Sequence, residues 1–590
     1  MSMSFFMGYF LKQSNIRSKG LYLQIYQSFY VPGKGGRNKS YKVIGYASDL
    51  IAQGISDPVA YAKGLVDQLN NEVNNLKDIQ ISDVSLTKRC GHFLLSNMFD
   101  FLDIDHDFNA LCINKKIHYK PSDLIRNMCY AQVLNPSSKY KAFEKVIPSI
   151  YKSTPFSYDQ ILDGINFIGN DYEKFIEVLN HCIEKKFGKR KVSTTYFDCT
   201  NYYFEIDLAK DDKQRGPSKE RRTDPIIGQA LLLDENQIPI AMKMYPGNCS
   251  EKPFIRETIT DMKQRYDITG KIVQIADKGL NCAQNIYSAA VESNDGYIFS
   301  KTFRGKGLSK IEKEWMLLDN SENVWTSYTD DKGNLLYKLK EVIDTFDYNF
   351  DLKDENGKVI KNIKFSVKEK RVVTFNPSLA KKQIYEINRE VDKLSKKLSV
   401  KGVLKEELGD VSKYVDACAF DRDGELVNIE TAIDFIKVEE AKRFAGYNLL
   451  VTSEINKSAK EIYEAYHGLW RIEESFRIMK SYLESRPVFV QLKETIYGHF
   501  LICYIAFTIT RLIEIKLFND EIPASYLYDF MRNFNMTQAK DGSFINASTL
   551  TEGLSKIKKD LNLRKLSNAY LSKKDVDLLF DLHLEDYFDL

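Results

Sequence analysis

Ile272-Val-Gln-Ile-Ala-Asp277-Lys278-Gly279 is a short, strongly apolar run that stops on an acid, a cation and a glycine. An apolar run of this length bounded by turn residues predicts a buried strand, with its closing acid at the strand's end. Working outward, β-branched and aromatic residues predict strands over Thr194–Asp198, Tyr202–Ile206, Ile226–Leu233 and Ile238–Met244. Asp234-Glu-Asn joins the last two as a hairpin turn. Helical patterning covers Pro253–Tyr266 and Cys282–Ser293, and Tyr297–Thr302 is a further strand. Strands first, then strands alternating with helices, is the order of an α/β domain with a mixed sheet.

The rest of the chain divides around that core. Residues 1–56 hold a predicted β-hairpin over 20–46, whose turn region carries Lys34, Arg37, Lys39 and Lys42. A basic hairpin on DNA phosphates and a solvated turn fit those cations equally. Residues 57–190 are mainly helical and are the expected DNA-binding region, although no feature singles out a recognition helix. Residues 191–303 form the first part of the core, and 304–443 a β-rich inserted subdomain that turns helical over Lys381–Lys397. Residues 444–515 resume the core with a strand at Tyr447–Thr452 and a long helix from about Ala459 to Leu483. Residues 516–590 are a helical C-terminal region, whose acidic and apolar tail could pack a subunit contact.

Composition limits the function classes. The chain has 590 residues, 43% of them hydrophobic and 28% charged, which is the make-up of a multidomain globular protein. Net charge is only +3, so a nucleic-acid surface must come from local clustering of Lys and Arg. The nine cysteines have no Cys-x-x-Cys pair, which argues against thiolate zinc and a disulfide framework and for a reducing cytoplasm. The N-terminal apolar patch lacks a basic flank and is not read as a signal peptide. Gly498–Leu512 is apolar but too short to span a bilayer, so a buried helix and no membrane role are expected.

Tyr466-His-Gly-Leu-Trp-Arg-Ile-Glu-Glu-Ser-Phe-Arg-Ile-Met-Lys480 has two faces on a helical wheel. At roughly 100° per residue, Tyr466, Trp470, Glu473, Arg477 and Lys480 share one narrow stripe. Leu469, Ile472, Phe476, Met479 and Leu483 share the adjoining stripe, which should be buried. An ordinary amphipathic helix with a Glu-Arg pair would look the same, so the wheel by itself does not identify a site.

The spacing of Tyr466, Glu473 and Lys480 resembles the signature of a branch of bacterial insertion-sequence transposases: Tyr, two residues, Arg, three residues, Glu, six residues, Lys. Leu469 occupies the Arg place, a departure: either Arg471, two residues on, does that work or the role is absent. Lys480-Ser-Tyr-Leu-Glu-Ser-Arg-Pro487 is similar to the family as well. So are Thr194-Thr-Tyr-Phe-Asp198-Cys-Thr200, Arg215-Gly-Pro-Ser218-Lys219, Tyr245-Pro-Gly-Asn248 and the Asp277-Lys278-Gly279 run. The likeness covers about residues 193–303 and 444–515.

This resemblance implies a ribonuclease H-like catalytic core with Asp198, Asp277 and Glu473 as a DDE triad. It implies two Mg²⁺ (or Mn²⁺) ions per active site, Asp198 bridging them. Hard divalent ions prefer carboxylate oxygens, and paired metals can activate the attacking oxygen while stabilising the leaving one. Clustered carboxylates should also raise one another's pKa. Tyr466, Trp470, Arg471, Arg477, Lys480, Lys219, Arg221, Arg222 and Lys278 are then the expected DNA contacts. Trp470 would stack on an extruded base, consistent with the hairpin-ended intermediate that the resemblance implies. The expected partners are terminal inverted repeats, target DNA and a second copy of the chain in a synaptic dimer. The expected location is a bacterial cytoplasm, at the nucleoid. Two rival readings are a DNA-binding protein derived from a transposase whose activity has lapsed, and a carboxylate-based glycosidase without metal.

Overall fold

A computed structural model describes all residues except 1–4, 17–19, 32–34, 76–86, 113–118, 221, 267, 303–307, 320–323, 355–356, 399–414, 420–428, 540–541 and 589–590. The chain is a multidomain α/β protein with a large mixed sheet and many helices. It separates into two compact units. One comprises residues 1–93, 148–151 and 529–582; the other comprises 94–147, 152–528 and 583–590.

In the first unit, Phe5–Ile16, Gly20–Val31 and Gly35–Tyr46 form an antiparallel three-stranded sheet. The expected hairpin is therefore two strands of three. The apolar patch near the N-terminus supplies the extra strand, pairing from Phe5–Tyr30 to Ile16–Gly20. Leu23 and Ile25 are fully buried, and Leu23 packs with Leu50 and Ala62. Arg37, Lys39 and Lys42 lie exposed on the outer strand, while Lys34 lies outside the described residues. A second, four-stranded sheet joins Thr87–Arg89 to Asn535–Gln538, Phe544–Asn546 and Tyr570–Leu571. The C-terminal region is thus helical with three short strands. Strands of two to four residues are too brief for alternation to be visible in sequence.

The second unit is built on a nine-stranded sheet. Its strands are β1 (Thr194–Tyr203), β2 (Ile226–Leu233), β3 (Pro239–Pro246), β4 (Val273–Ala276), β5 (Gly296–Lys301), β6 (Thr326–Thr329), β7 (Leu335–Lys353), β8 (Val359–Phe375) and β9 (Tyr447–Thr452). Their order across the sheet is β6-β7-β8-β9-β5-β4-β1-β2-β3. β1, β2 and β3 are antiparallel neighbours, whereas β1, β4 and β5 run parallel. β2 and β4 are buried along their whole length, which explains their continuous apolar runs. β1 continues without a break through Asp198 to Tyr203, because Asn201 and Tyr202 stay paired with β2. Residues 204–206 are not strand.

The β-rich stretch does not stand apart from this sheet. β8 pairs with β9 from Lys370–Thr452 to Phe375–Tyr447, and β9 pairs with β5. Buried Glu369 secures the junction, accepting hydrogen bonds from the Tyr297 and Tyr348 hydroxyls at 2.8 and 2.7 Å and from Arg371 Nε at 2.8 Å. The sequence showed an interruption because β7 and β8 are long, mostly exposed along their far halves, and alternate as a two-stranded ribbon.

Six helices matter for the site: α1 (Pro121–Leu134), α2 (Tyr158–Asn170), α3 (Lys252–Arg265), α4 (Ala459–His467), α5 (Trp470–Arg477) and α6 (Lys493–Leu512). α6 is almost wholly buried from Thr495 to Leu512 and packs on α1 and α2. Gly169 and Gly498 permit the α2–α6 approach; a Cβ on either would stand within about 2 Å of the other helix's backbone. Among the described residues no helix is long and apolar enough to cross a membrane.

Candidate active site

Asp198 and Asp277 are placed by the parallel ladder between β1 and β4. Its last paired residues are Phe197 and Ala276, so the two acids are the next residues on neighbouring chains. Phe197 and Ala276 are fully buried, which anchors both chains just before the acids emerge. Asp198 Oδ1 accepts a hydrogen bond from the Cys199 N–H at 2.8 Å. Burial, with smaller contributions from Glu251 and Asp277, lifts the Asp198 carboxyl to about 6, against the pull of Lys219 and the Cys199 N–H.

Glu473 comes to the same edge on α5. Leu469, Ile472, Phe476, Met479 and Leu483 are all buried, as the helical wheel requires. The long helix expected over 459–483 is divided at Gly468, however. A Cβ there would lie 2.5 Å from the Tyr196 hydroxyl, so glycine lets the α4–α5 junction rest directly on β1. Burial and the Asp277 carboxylate raise the Glu473 pKa, while Lys219 opposes the rise. Asp277 therefore acts electrostatically on both Asp198 and Glu473. Tyr466 on α4 closes the arrangement by donating its hydroxyl to Asp277 Oδ1 at 3.0 Å.

A cation sits beside Asp198. Lys219 Nζ is 3.5 Å from Asp198 Oδ1 and 3.6 Å from Glu251 Oε1, and it donates to the Cys199 carbonyl. Buried Asn201 aims its loop: Asn201 Oδ1 accepts from the Lys219 N–H at 3.2 Å, and Asn201 Nδ2 donates to the Pro217 carbonyl at 3.2 Å. Burial pulls the Lys219 pKa down, but the Asp198 and Glu251 carboxylates outweigh it and the net shift is upward. Glu251 was not anticipated. It lies three residues beyond the Tyr245-Pro-Gly-Asn248 turn, and an acid just ahead of α3 was the one available signal.

The remaining expected site residues are distributed as follows. Lys480 Nζ lies 3.3 Å from Glu220 Oε1 and 5.2 Å from the Tyr202 ring centroid. Arg486 pairs with the same Glu220 and lies 5.5 Å from the Tyr203 ring. The Arg222 guanidinium stands 3.7 Å above the Tyr203 ring and pairs with Glu205 and Asp224. Lys480, Arg486 and Arg222 thus gather over Tyr202 and Tyr203. Arg486 was absent from the expected set, although its segment was noted. Lys278 is exposed, and Arg221 lies outside the described residues. Trp470 is 49% exposed, with Arg471 stacked 3.9 Å from its ring centroid. Arg471 also pairs with Glu474 and Asp520, and Arg477 with Glu474. Leu469 is buried, so the place of the signature Arg is filled by core packing.

The donor set consists of hard carboxylate oxygens, which suits Mg²⁺ or Mn²⁺. As the side chains lie, no three His, Cys, Asp or Glu residues among those described are grouped to hold a metal ion. The carboxylate chemistry of Asp198, Asp277 and Glu473 is of the kind that holds a hard divalent cation.

No protein-family model matches this chain, and no curated protein matches it. A solved structure described as the piggyBac transposase synaptic complex with hairpin DNA aligns with it over 83% of this chain and 84% of that one. Identity is 10% and the TM-score 0.34, a likeness too weak to carry an argument.

Proposed function

We propose that the chain is a DNA transposase, with Asp198, Asp277 and Glu473 as the acids of a metal-dependent active site on a ribonuclease H-like core. The observation that carries this reading is the placing of Asp198 and Asp277 as the next residues after the last β1–β4 pair, with Lys219 3.5 Å from Asp198, Tyr466 tied to Asp277, and the Asp277 charge acting on both Asp198 and Glu473. The strand order β3-β2-β1-β4-β5, antiparallel then parallel, supports the ribonuclease H-like assignment.

Asp198, Asp277 and Glu473 would hold two Mg²⁺ or Mn²⁺ ions. Bound there, the metals would supply Lewis-acid stabilisation and a more acidic attacking water or 3′-hydroxyl. Tyr466 orients Asp277. Lys480, Arg486 and Arg222, gathered at Tyr202 and Tyr203 on the strand that carries Asp198, would exchange their Glu220, Glu205 and Asp224 partners for the phosphate backbone. Exposed Trp470 is available to stack on a base, and its Arg471 neighbour keeps the ring oriented. The substrates would be terminal inverted repeats and target DNA, cut and pasted through hairpin ends by a homodimer in a bacterial cytoplasm.

The catalytically lapsed reading has two observations in its favour: Leu469 stands in the signature Arg place, and the described acids are not already grouped as a metal cage. Incubation of the purified chain with DNA from the ends of its element separates the two. Nicking that needs Mg²⁺ and is stopped reversibly by EDTA supports the active enzyme. Glu473→Gln should retain DNA binding and lose cleavage; a variant that cuts at the parental rate removes Glu473 from the mechanism.

A further inference from the structure

The Lys219 ammonium has an unusual address for a DNA-backbone cation. Its side chain is 40% exposed, yet Nζ lies nearly equidistant from Asp198 and Glu251 at 3.5 and 3.6 Å and donates to the Cys199 carbonyl. Asn201 fixes the preceding loop from both sides, so the lysine is delivered by a built scaffold and not by a free surface chain. Its charge also acts on Glu473. One monovalent cation thus serves several carboxylates, in the neighbourhood where a divalent ion would have to bind. The same oxygens are not otherwise gathered into a metal cage.

We propose that Lys219 is an internal placeholder cation: it occupies the Asp198 site until a divalent metal displaces it, and Glu251 receives the displaced ammonium. This inference rests on the metal-dependent reading above. The two seats are close enough that a side-chain rotation suffices, with the Cys199 carbonyl as a pivot. A divalent ion on Asp198 would repel the ammonium, while Glu251 keeps it paired. Without the placeholder, the acids would face one another with no cation between them. Glu251 is therefore a positioning residue, acting on the metal site through Lys219.

The test is Mn²⁺ binding to the full chain without DNA, read by electron paramagnetic resonance, with thermal unfolding as a second readout. Lys219→Met should bind Mn²⁺ about tenfold or more tightly than the parent, as removal of a competing charge requires. It should also melt lower without metal and recover more on adding Mn²⁺. Glu251→Gln should bind Mn²⁺ more weakly, because the ammonium has lost its second seat. Lys219→Arg, which keeps the charge, should show no gain. Equal or weaker Mn²⁺ binding by a folded Lys219→Met overturns the placeholder, provided the parent binds Mn²⁺ and Asp198→Asn abolishes that binding. If the parent and folded Lys219→Met both bind none at millimolar Mn²⁺, the metal-dependent reading itself fails, and the placeholder with it.

Discussion

The Tyr466 hydroxyl donates to Asp277 Oδ1 at 3.0 Å, tying the end of α4 to the end of β4 across 189 residues of sequence. Burial, reinforced by the Asp277 charge, drives the tyrosine pKa well above its ordinary range, so the hydroxyl remains a donor at neutral pH. Hydrogen bonds to charged groups contribute roughly 1.5–3 kcal/mol, equivalent to about 10- to 100-fold in rate if the bond matters at the transition state. Tyr466→Phe should therefore lose cleavage by about that factor while retaining DNA binding. Single-turnover cleavage beside a binding isotherm checks this. Parental cleavage by the variant would make the contact structural only.

A second prediction concerns Gly468, whose backbone is ordinary right-handed helix at φ −56° and ψ −18°. Conformational freedom is not why glycine is needed; the Tyr196 ring is. An added methyl would lie 2.5 Å from the hydroxyl and 2.7 Å from Cε1 of a buried tyrosine. Gly468→Ala should force α5 away from β1, costing about 1–3 kcal/mol and displacing Glu473. Cleavage should fall more than DNA binding, and Tyr196→Leu in the same background should restore part of it. If Gly468→Ala matches the parent in melting temperature and rate, the close approach has no functional weight.

Much of this arrangement was legible because burial leaves a strong signature in sequence. β2, β4 and β9 read as strands because central strands covered on both faces are continuously apolar. The buried stripe of α5 was visible for the same reason. The division at Gly468 was not, because helical periodicity runs through it and its cause is a tyrosine about 270 residues away. The pairing of Lys219 with Asp198 and Glu251 was equally hidden: nothing in a basic loop shows that Asn201 will grip it. Glu251 reaches the site only because the β3–α3 turn folds back beside β1. The β-rich stretch gave no sign that it would pair with β9, since strand partners are set by non-local register.

Arg190 and Asp234 allow a third prediction. Both side chains are almost fully buried, with Arg190 Nε 2.8 Å from Asp234 Oδ2. Arg190 also donates to the carbonyls of Ile238 and Pro239 at 3.1 and 2.6 Å, which secures the β2–β3 hairpin to the helix before β1. Burial raises the Asp234 pKa despite the arginine, so the acid depends on its partner to remain tolerable as an ion. Arg190→Met should destabilise the second unit by about 3–5 kcal/mol by stranding that acid. Arg190→Met with Asp234→Asn should recover part of the loss, a non-additivity visible in urea unfolding. A single variant within about 0.5 kcal/mol of the parent would refute the assignment.

Glu514 supplies the pH prediction. Its side chain is 3% exposed and accepts from Arg511 Nη1 at 2.8 Å, while Arg511 also holds Asp520 at 3.0 Å and Arg471 pairs with that same Asp520. Burial dominates and lifts the carboxyl from its ordinary 4.5 to about 7; Arg511 opposes this, and Asp520 and Glu474 add to it. A raised folded-state pKa means that the folded chain holds a proton the unfolded chain has released. The associated stability is fully present below about 4.5 and is lost as pH rises through about 7. The loss is on the order of 2–4 kcal/mol. Glu514→Gln cannot release that proton, so its urea midpoint should fall less than the parent's between pH 5 and 8. The difference between the two profiles isolates Glu514 from the other acids that titrate in this window. Parallel profiles would mean that Glu514 is already ionised at pH 5, with Arg511 outweighing its burial.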